Sequence, residues 1–320
     1  MKKISFAWVA PAVLLTLGGL AALPACDVID NPQPEKVTLS AGRRDTLALD
    51  SAEALLPAGP VVQNVLIDDY TGQYCGNCPR AAHMADSMER KYPGRVFGVE
   101  VHATDYFAAP RAHFPIDFRA EGVARDLVWL DLDNRGLPQG AVNRAPFPEA
   151  NNSPIATFSL WPNAVANQLA LSPTAELRAT PLFDPVSRLL RLKVNTKYLA
   201  ARPGVKVNMG IMVVEDSVIG AQKDYRLNRS LNPDQTTEKY KHHNVLRAAI
   251  PGIYGAQQVM GPTAGQQFTT YLGYSMADTT AHAPTAAAPS KWNARSCSVI
   301  VFLSDADSHQ ILQVVKSKFQ

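Results

Sequence analysis

Cysteine is scarce in this chain of 320 residues, with four in all, at positions 26, 75, 78 and 297. A disulfide framework for an exported fold needs an even set spread along the chain. Here two cysteines sit three residues apart, one lies near the amino terminus and one stands alone, which favours a working pair over a staple. Charge is sparse too: a formal +3 at pH 7 with 18% charged residues lacks the basic footprint of a nucleic-acid binder. Beyond residue 23 no stretch is apolar enough, for long enough, to span a bilayer. No internal repeat is evident, and no nucleophile elbow supports Ser/His/Asp hydrolysis. Neither a second Cys-x-x-Cys nor a His-x-x-x-His completes a four-ligand zinc site.

What is present begins with an amino-terminal export signal. Lys2 and Lys3 precede an apolar run over residues 4–23, and Leu23-Pro24-Ala25 ends in a small residue before Cys26. Cys26 resembles the lipidated cysteine of a bacterial lipoprotein, which makes the mature chain soluble and tethered to a membrane; the alternative is an ordinary secretory signal with an incidental cysteine. Without residues 1–25 the formal charge falls from +3 to +1. Residues 26–59 read as a tether with one short strand.

The remaining length suits two domains, over residues 60–172 and 173–320. Residues 61–67 are a nearly continuous apolar run, the pattern of a strand buried on both faces. Ala81, Met84, Ala85, Met88 and Tyr92 then recur at helical spacing up to Pro93-Gly94. Residues 96–101 return as strand, completing a β–α–β unit with a right-handed crossover. An insert with a helix over 121–132 leads to Gly136-Leu137-Pro138, and Trp161, Val165 and Leu169 mark a closing helix over 159–171. After Ser172-Pro173 the period changes to that of half-buried strands. Leu190, Leu192 and Val194 alternate with polar residues, and strand-like runs follow at 205–214, 240–250, 268–274, 298–303 and 311–316. Six or seven such strands suggest a β-sandwich, with residues 281–289 as a small-residue loop.

The strongest chemical signal is Cys75-Gly76-Asn77-Cys78, placed where the first strand gives way to a helix. That position sets the first sulfur at the positive end of a helix dipole and brings the pair within disulfide reach. Such a dithiol exchanges disulfides provided that Cys75 is ionisable and reachable; the alternative is a fixed clip on a loop. The pair, its β–α–β setting and the later Gly-Leu-Pro resemble the thioredoxin fold. That resemblance implies that Cys75 attacks, Cys78 resolves and Pro138 forms a cis bond beside them, with Leu137 offering its backbone to substrate. Asp69 falls where thioredoxins carry a buried proton-relaying acid, the alternative being an exposed strand-end carboxylate. Tyr74, Gly76 and Asn77 would complete the substrate surface, and Gly76-Asn77 departs from the Gly-Pro of thioredoxin, so the redox direction stays open. No metal or other cofactor is expected. His83, His102 and His113 joining the cysteines around zinc or copper is the minor alternative, against their being loop or surface residues. Cys297 reads as a small buried hydrophobe. His242 and His243 precede an apolar strand on which His243, Val245 and Arg247 share one face, more in keeping with a strand edge or domain contact than with a ligand site, and Arg226, Arg229, Lys239 and Lys241 read as a solvated loop.

The whole mature chain is also similar to the Omp28-related outer-membrane lipoproteins. The residues that carry this are Asp68-Asp69-Tyr70-Thr71-Gly72, Cys75-Gly76-Asn77-Cys78-Pro79, Gly140-Ala141-Val142-Asn143-Arg144, His243-Asn244-Val245-Leu246-Arg247 and Ile311-Leu312-Gln313. The resemblance implies a lipid-anchored protein of the cell envelope, in the outer membrane, with an α/β thioredoxin-like domain followed by an all-β immunoglobulin-like sandwich. Two function classes stay open. One is thiol–disulfide exchange on envelope proteins, drawing on an electron donor if it acts as a reductase. The other is a non-enzymatic lipoprotein whose sandwich binds proteins or glycans, as an adhesin or assembly factor.

Overall fold

The computed structural model describes residues 37–38, 43–55, 59–276 and 292–320. The expected signal over 1–25, Cys26, parts of the tether and the loop at 281–289 lie outside those residues. In chain order the elements are β1 (Val37–Thr38), α1 (Arg43–Ala54), β2 (Val65–Thr71), α2 (Cys78–Lys91), β3 (Val96–His102), the short helices α3 (Asp105–Ala108), α4 (Val123–Asp126) and α5 (Leu132–Arg135), then β4 (Gln139–Val142) and α6 (Trp161–Leu169). Strands follow: β5 (Ala175–Asp184), β6 (Leu189–Tyr198), β7 (Lys206–Glu215), β8 (Val218–Lys223), β9 (Thr236–His242), β10 (Val245–Ile250), β11 (Ala256–Met260), β12 (Gln267–Ser275), β13 (Cys297–Asp305) and β14 (Ile311–Lys318).

This is a mixed α/β protein with extensive sheet. β2 and β3 run parallel, in register from Val65↔Val96 to Thr71↔His102, and β4 adds antiparallel to β2. Both strands are buried along their whole length. Their apolar runs are explained by two covers: Ala81, Ala85 and Met88 of α2 pack on Val65, Ile67 and Val96, while Leu127, Leu130 and Leu132 pack on Leu66, Val99 and Val101. The sheet does not stop at β3. Val245 of β10 lies parallel to Glu100, and the path continues through β7 and β13 to β14, with β11 sharing β7. A single eight-stranded sheet therefore draws strands from both sides of residue 172, and residues 33–320 cluster as one compact unit. The second sheet, β1-β12-β6-β5, faces it, with Leu190, Leu192 and Val194 sharing a buried cluster with Val207, Ile211, Val213, Val299 and Val301.

Several elements differ from the sequence reading. The first strand begins at Val65 rather than 61 and runs on through Asp68 and Asp69, because tertiary partners bury these acids. The tether holds helix α1, whose Leu49 and Ala52 are buried while Glu53 pairs with Lys193 at 2.7 Å. The helix expected over 121–132 is broken where Asp131 takes a left-handed φ of 54°. The run at 240–250 is two strands in different sheets, parted at Asn244, whose φ is +49°. β5, β8 and β11 have no counterpart in the sequence reading.

Asp68 and Arg144 fasten this arrangement. The guanidinium donates to the Asp68 carboxylate at 2.9 and 3.3 Å and to the Ile253 carbonyl at 2.9 Å, with both side chains buried. Beside it, Asn143 accepts from the Leu66 N–H at 2.8 Å. Removing one partner of a buried pair strands the other charge. Asp68→Ala is therefore expected to lower unfolding free energy by about 3–5 kcal/mol, measured by urea denaturation, whereas Asp68→Leu combined with Arg144→Met loses less; equal losses would show that the buried charge is not the cause.

Candidate functional site

The site grows from the carboxyl end of β2. Gly72 is required there, since a Cβ would lie 2.5 Å from the Phe107 carbonyl oxygen. The Tyr74 N–H donates to that same carbonyl at 2.9 Å, and the Cys75 N–H to Gly72 at 3.0 Å, folding the chain into the turn from which α2 starts at Cys78. Cys75 and Cys78 form a disulfide with Cα atoms 5.4 Å apart. Tyr74 packs edge-on against Phe114, with the Arg111 guanidinium 4.4 Å from its ring centroid. Asn77 is exposed. The Leu137–Pro138 bond is cis. β4 pairs with β2 as far as Tyr70↔Gln139, so continuing the register sets Pro138 beside Thr71, at the end of β2 from which the cysteine turn departs.

The expectation of a reachable Cys75 needs correction: it is 2% exposed and Cys78 1%. The cover comes from about 150 residues downstream in sequence. β8 and β9 form an antiparallel hairpin, and the strap that leads out of β8 lies against the cysteine turn. The Gln222 side chain donates to the carbonyls of Gly72 and Cys75 at 3.2 and 3.0 Å. The Lys223 N–H donates to Gln73 and the Tyr225 N–H to Gly76, both at 2.8 Å. The Tyr225 ring lies so close to Gly76 that a Cβ there would sit 2.5 Å from it. No local pattern around Cys75 reveals this cover, because it is a long-range packing contact.

Beneath the turn lies a row of buried polar groups. Asp69 is 1% exposed, and neither carboxylate oxygen has a hydrogen-bond partner among the described residues. Burial first, then Glu100 and Asp86, push its pKa well above the usual carboxylate range. Glu100 is its neighbour in register, and His102 is two residues further along β3 on the same face. The Glu100 carboxylate accepts from the His243 N–H at 3.1 Å and lies 3.2 Å from His242 Nδ1. One donor atom each from Glu100, His102 and His242 falls within 4.8 Å of the others. Burial, then His242 and Arg247, hold the His102 pKa well below the ordinary imidazole value.

Of the three histidines weighed as partners of the cysteines, His102 joins this cluster, while His83 and His113 are exposed. Glu100 has no sequence signal beyond the alternation Glu100-Val101-His102, and His242 enters the sequence reading only beside His243, ahead of a strand. His243 bonds Asp216 at 2.9 Å, which raises its pKa, and Arg247 pairs with Glu215 at 2.8 Å. Cys297 is a free, buried thiol, its pKa pushed up to about 12 chiefly by burial.

Comparisons with known proteins cover much of the chain. The family model described as outer membrane protein Omp28 matches residues 131–320, more than half of the chain. The solved structure of HBP35 of Porphyromonas gingivalis is similar with a TM-score of 0.57 and 18% identity, over 82% of this chain and 77% of that one. A structural-genomics protein from Agrobacterium tumefaciens matches with a TM-score of 0.46 and 12% identity, over 81% and 96%. A domain of the outer membrane lipoprotein Omp28 from Porphyromonas gingivalis matches with a TM-score of 0.28 and 16% identity, over 46% and 89%. No curated protein matches. The first of these likenesses speaks for the fold alone, whereas the family match identifies the chain: it belongs to the Omp28 family of outer membrane proteins and has its place in the cell envelope.

Proposed function

We propose that this protein carries out thiol–disulfide exchange in the envelope through Cys75 and Cys78, beneath a removable strap. The carrying observation is that the segment 222–225 lies over the cysteine turn, held to it by a few hydrogen bonds and one tyrosine ring. Such a segment can open locally at far less cost than global unfolding. A thioredoxin-like reading of residues 60–172 is supported by the disulfide at the amino end of α2, the buried Asp69 below it and the cis bond before Pro138. In the same reading residues 173–320 are the immunoglobulin-like sandwich that supplies the strap.

The chemistry balances with a dithiol donor. With the pair reduced, the Cys75 thiolate, stabilised at the helix amino terminus, attacks one sulfur of a substrate disulfide. A mixed disulfide forms and a substrate thiolate leaves. Asp69 in its ionised form, made a stronger base by its raised pKa, takes the Cys78 proton; Cys78 then attacks the Cys75 sulfur, which closes the Cys75–Cys78 bond and releases the second substrate thiolate, and that proton neutralises it. Two electrons have passed to the substrate, and an envelope dithiol donor returns them. Run in reverse, the same steps oxidise a substrate dithiol. Tyr74, Gly76, Asn77 and the Leu137 backbone then form the surface that substrate meets once the strap is displaced.

The near-complete burial of both cysteines favours a second reading, in which the disulfide is a permanent clip and the sandwich binds proteins or glycans as an adhesin or assembly factor.

Two measurements decide between them. The full chain, assayed for reduction of a protein disulfide with dithiothreitol as donor, is expected to be active, and Cys75→Ser inactive with unchanged circular dichroism; a wild-type chain without activity, with a pair too reducing to exchange, leaves the clip reading. Tyr225→Ala is expected to speed reduction of the Cys75–Cys78 bond by roughly tenfold, the factor that about 1.4 kcal/mol of lost closure supplies. Thiol trapping against time reads that rate, and an unchanged rate means the strap does not gate the pair.

A further inference from the structure

We infer that Glu100, His102 and His242 form a binding site for a divalent transition-metal ion of the Zn2+ type, set at the seam between β3 and β9. Tetrahedral zinc bonds of about 2.0–2.2 Å to imidazole nitrogen and carboxylate oxygen put neighbouring donors roughly 3.3–3.6 Å apart. Glu100 Oε2 stands 3.2 Å from His242 Nδ1 and 3.9 Å from His102 Nε2, and the three donor atoms lie within 4.8 Å of one another. A small turn of the His102 ring closes the remaining span.

The unsatisfied groups point to the same ligand independently. His102 is 2% exposed and His242 1%. Both ring nitrogens of His102 and Nε2 of His242 have no hydrogen-bond partner among the described residues. Leaving a buried polar group unpaired costs about 1–3 kcal/mol, and the His102 ring, with neither nitrogen hydrogen-bonded among the described residues, calls for a partner. A plain Glu–His hydrogen-bonded network accounts for His242 Nδ1 and leaves the His102 ring with no hydrogen bond among the described residues. An ion on Glu100 Oε2, His242 Nδ1 and His102 Nε2 gives the His102 ring its partner, with His102 Nδ1 and His242 Nε2 on the sides turned away from it, and balances the Glu100 carboxylate. Arg247, which acts on His102 electrostatically, is committed to Glu215.

The surroundings are those of a built site. The buried Phe118 ring packs at an angle against both imidazoles, with centroids 5.0 Å from His102 and 4.8 Å from His242. Gly220 of β8 admits this ring, since a Cβ would lie 2.8 Å from it. The His243 N–H holds the second carboxylate oxygen of Glu100, the kind of outer contact that orients a ligand. Two imidazoles and one carboxylate suit zinc and its neighbours better than Ca2+ or Mg2+. The fourth corner of the tetrahedron is left to water or to an exogenous donor. The ion ties the last residue of β9 to the last of β3, and so anchors the hairpin whose strap covers the cysteines. The site itself does not rest on the redox reading, because none of its ligands is a cysteine.

The test uses the full chain with its disulfide kept oxidised, unfolded with a chelator and refolded with CoCl2 or ZnCl2. One equivalent of ion is expected to remain after dialysis, with the visible absorption of four-coordinate Co2+, displaced by Zn2+. His102→Ala is expected to abolish both signals. Glu100→Gln preserves the shape of the site and should weaken Zn2+ binding by roughly 100-fold, at or beyond the upper end of what loss of an outer-contact residue costs; it decides the matter if His102→Ala does not fold. His83→Ala serves as the exposed-histidine control and should leave binding unchanged. No retained ion in the wild-type chain, or the same affinity in Glu100→Gln, overturns the site.

Discussion

The structure hangs on the hydrogen bonding of β3, a strand with neighbours on both sides. Along one edge it pairs with β2 over seven residues, and along the other it meets β10 through Val245 and the Glu100 N–H to Asn244 bond. Backbone groups in a buried strand must all find partners, so the edge of β3 that faces away from β2 calls for another strand. The chain supplies one from its second half. Every notable feature of the molecule lies along this junction, including the buried acids, the histidine cluster and the hairpin that reaches back over the disulfide.

Burial at the junction sets the chemistry. A carboxylate or imidazole taken out of water is held either by a partner or by a shift toward its neutral form. Asp68 takes the first course, through Arg144, and Asp69 the second, one residue along the same strand. Their opposite fates follow from strand alternation. Asp68 points to the face that carries Arg144 and Ile253, Asp69 to the face under α2, where no cation bonds it among the described residues. Cys297 follows the same physics with no redox consequence, since a buried thiol against Glu215 stays protonated.

Legibility in the sequence varied with the range of the interaction. The β–α–β unit could be read because its signals are local: an apolar run, a helical stripe from Ala81 to Met88, and a stop at Pro93-Gly94. The closing helix with Trp161 and Val165 was readable for the same reason. β5 was not, since Pro181 and its polar alternation look unlike a strand until β6 and β14 pack on it. The continuous 240–250 run hid a break because only the left-handed Asn244, forced by the switch between sheets, marks it. Within the site, the disulfide partners were visible three residues apart, while Gln222 and Tyr225 were invisible.

The sequence by itself determined which residues are chemically able, a Cys-x-x-Cys at a strand-to-helix turn and an acid pair before it, and it carried the family signature over residues 131–320. Spacing within a few residues suffices for those, because strand and helix periodicities act over one or two turns. Tertiary structure alone decided that the cysteines lie under a strap, that Asp69 is sealed without a partner, and that Glu100, His102 and His242 converge. Each of these depends on bringing together segments up to about 150 residues apart, and it is the free energy of burying the whole sheet, rather than any local preference, that joins them.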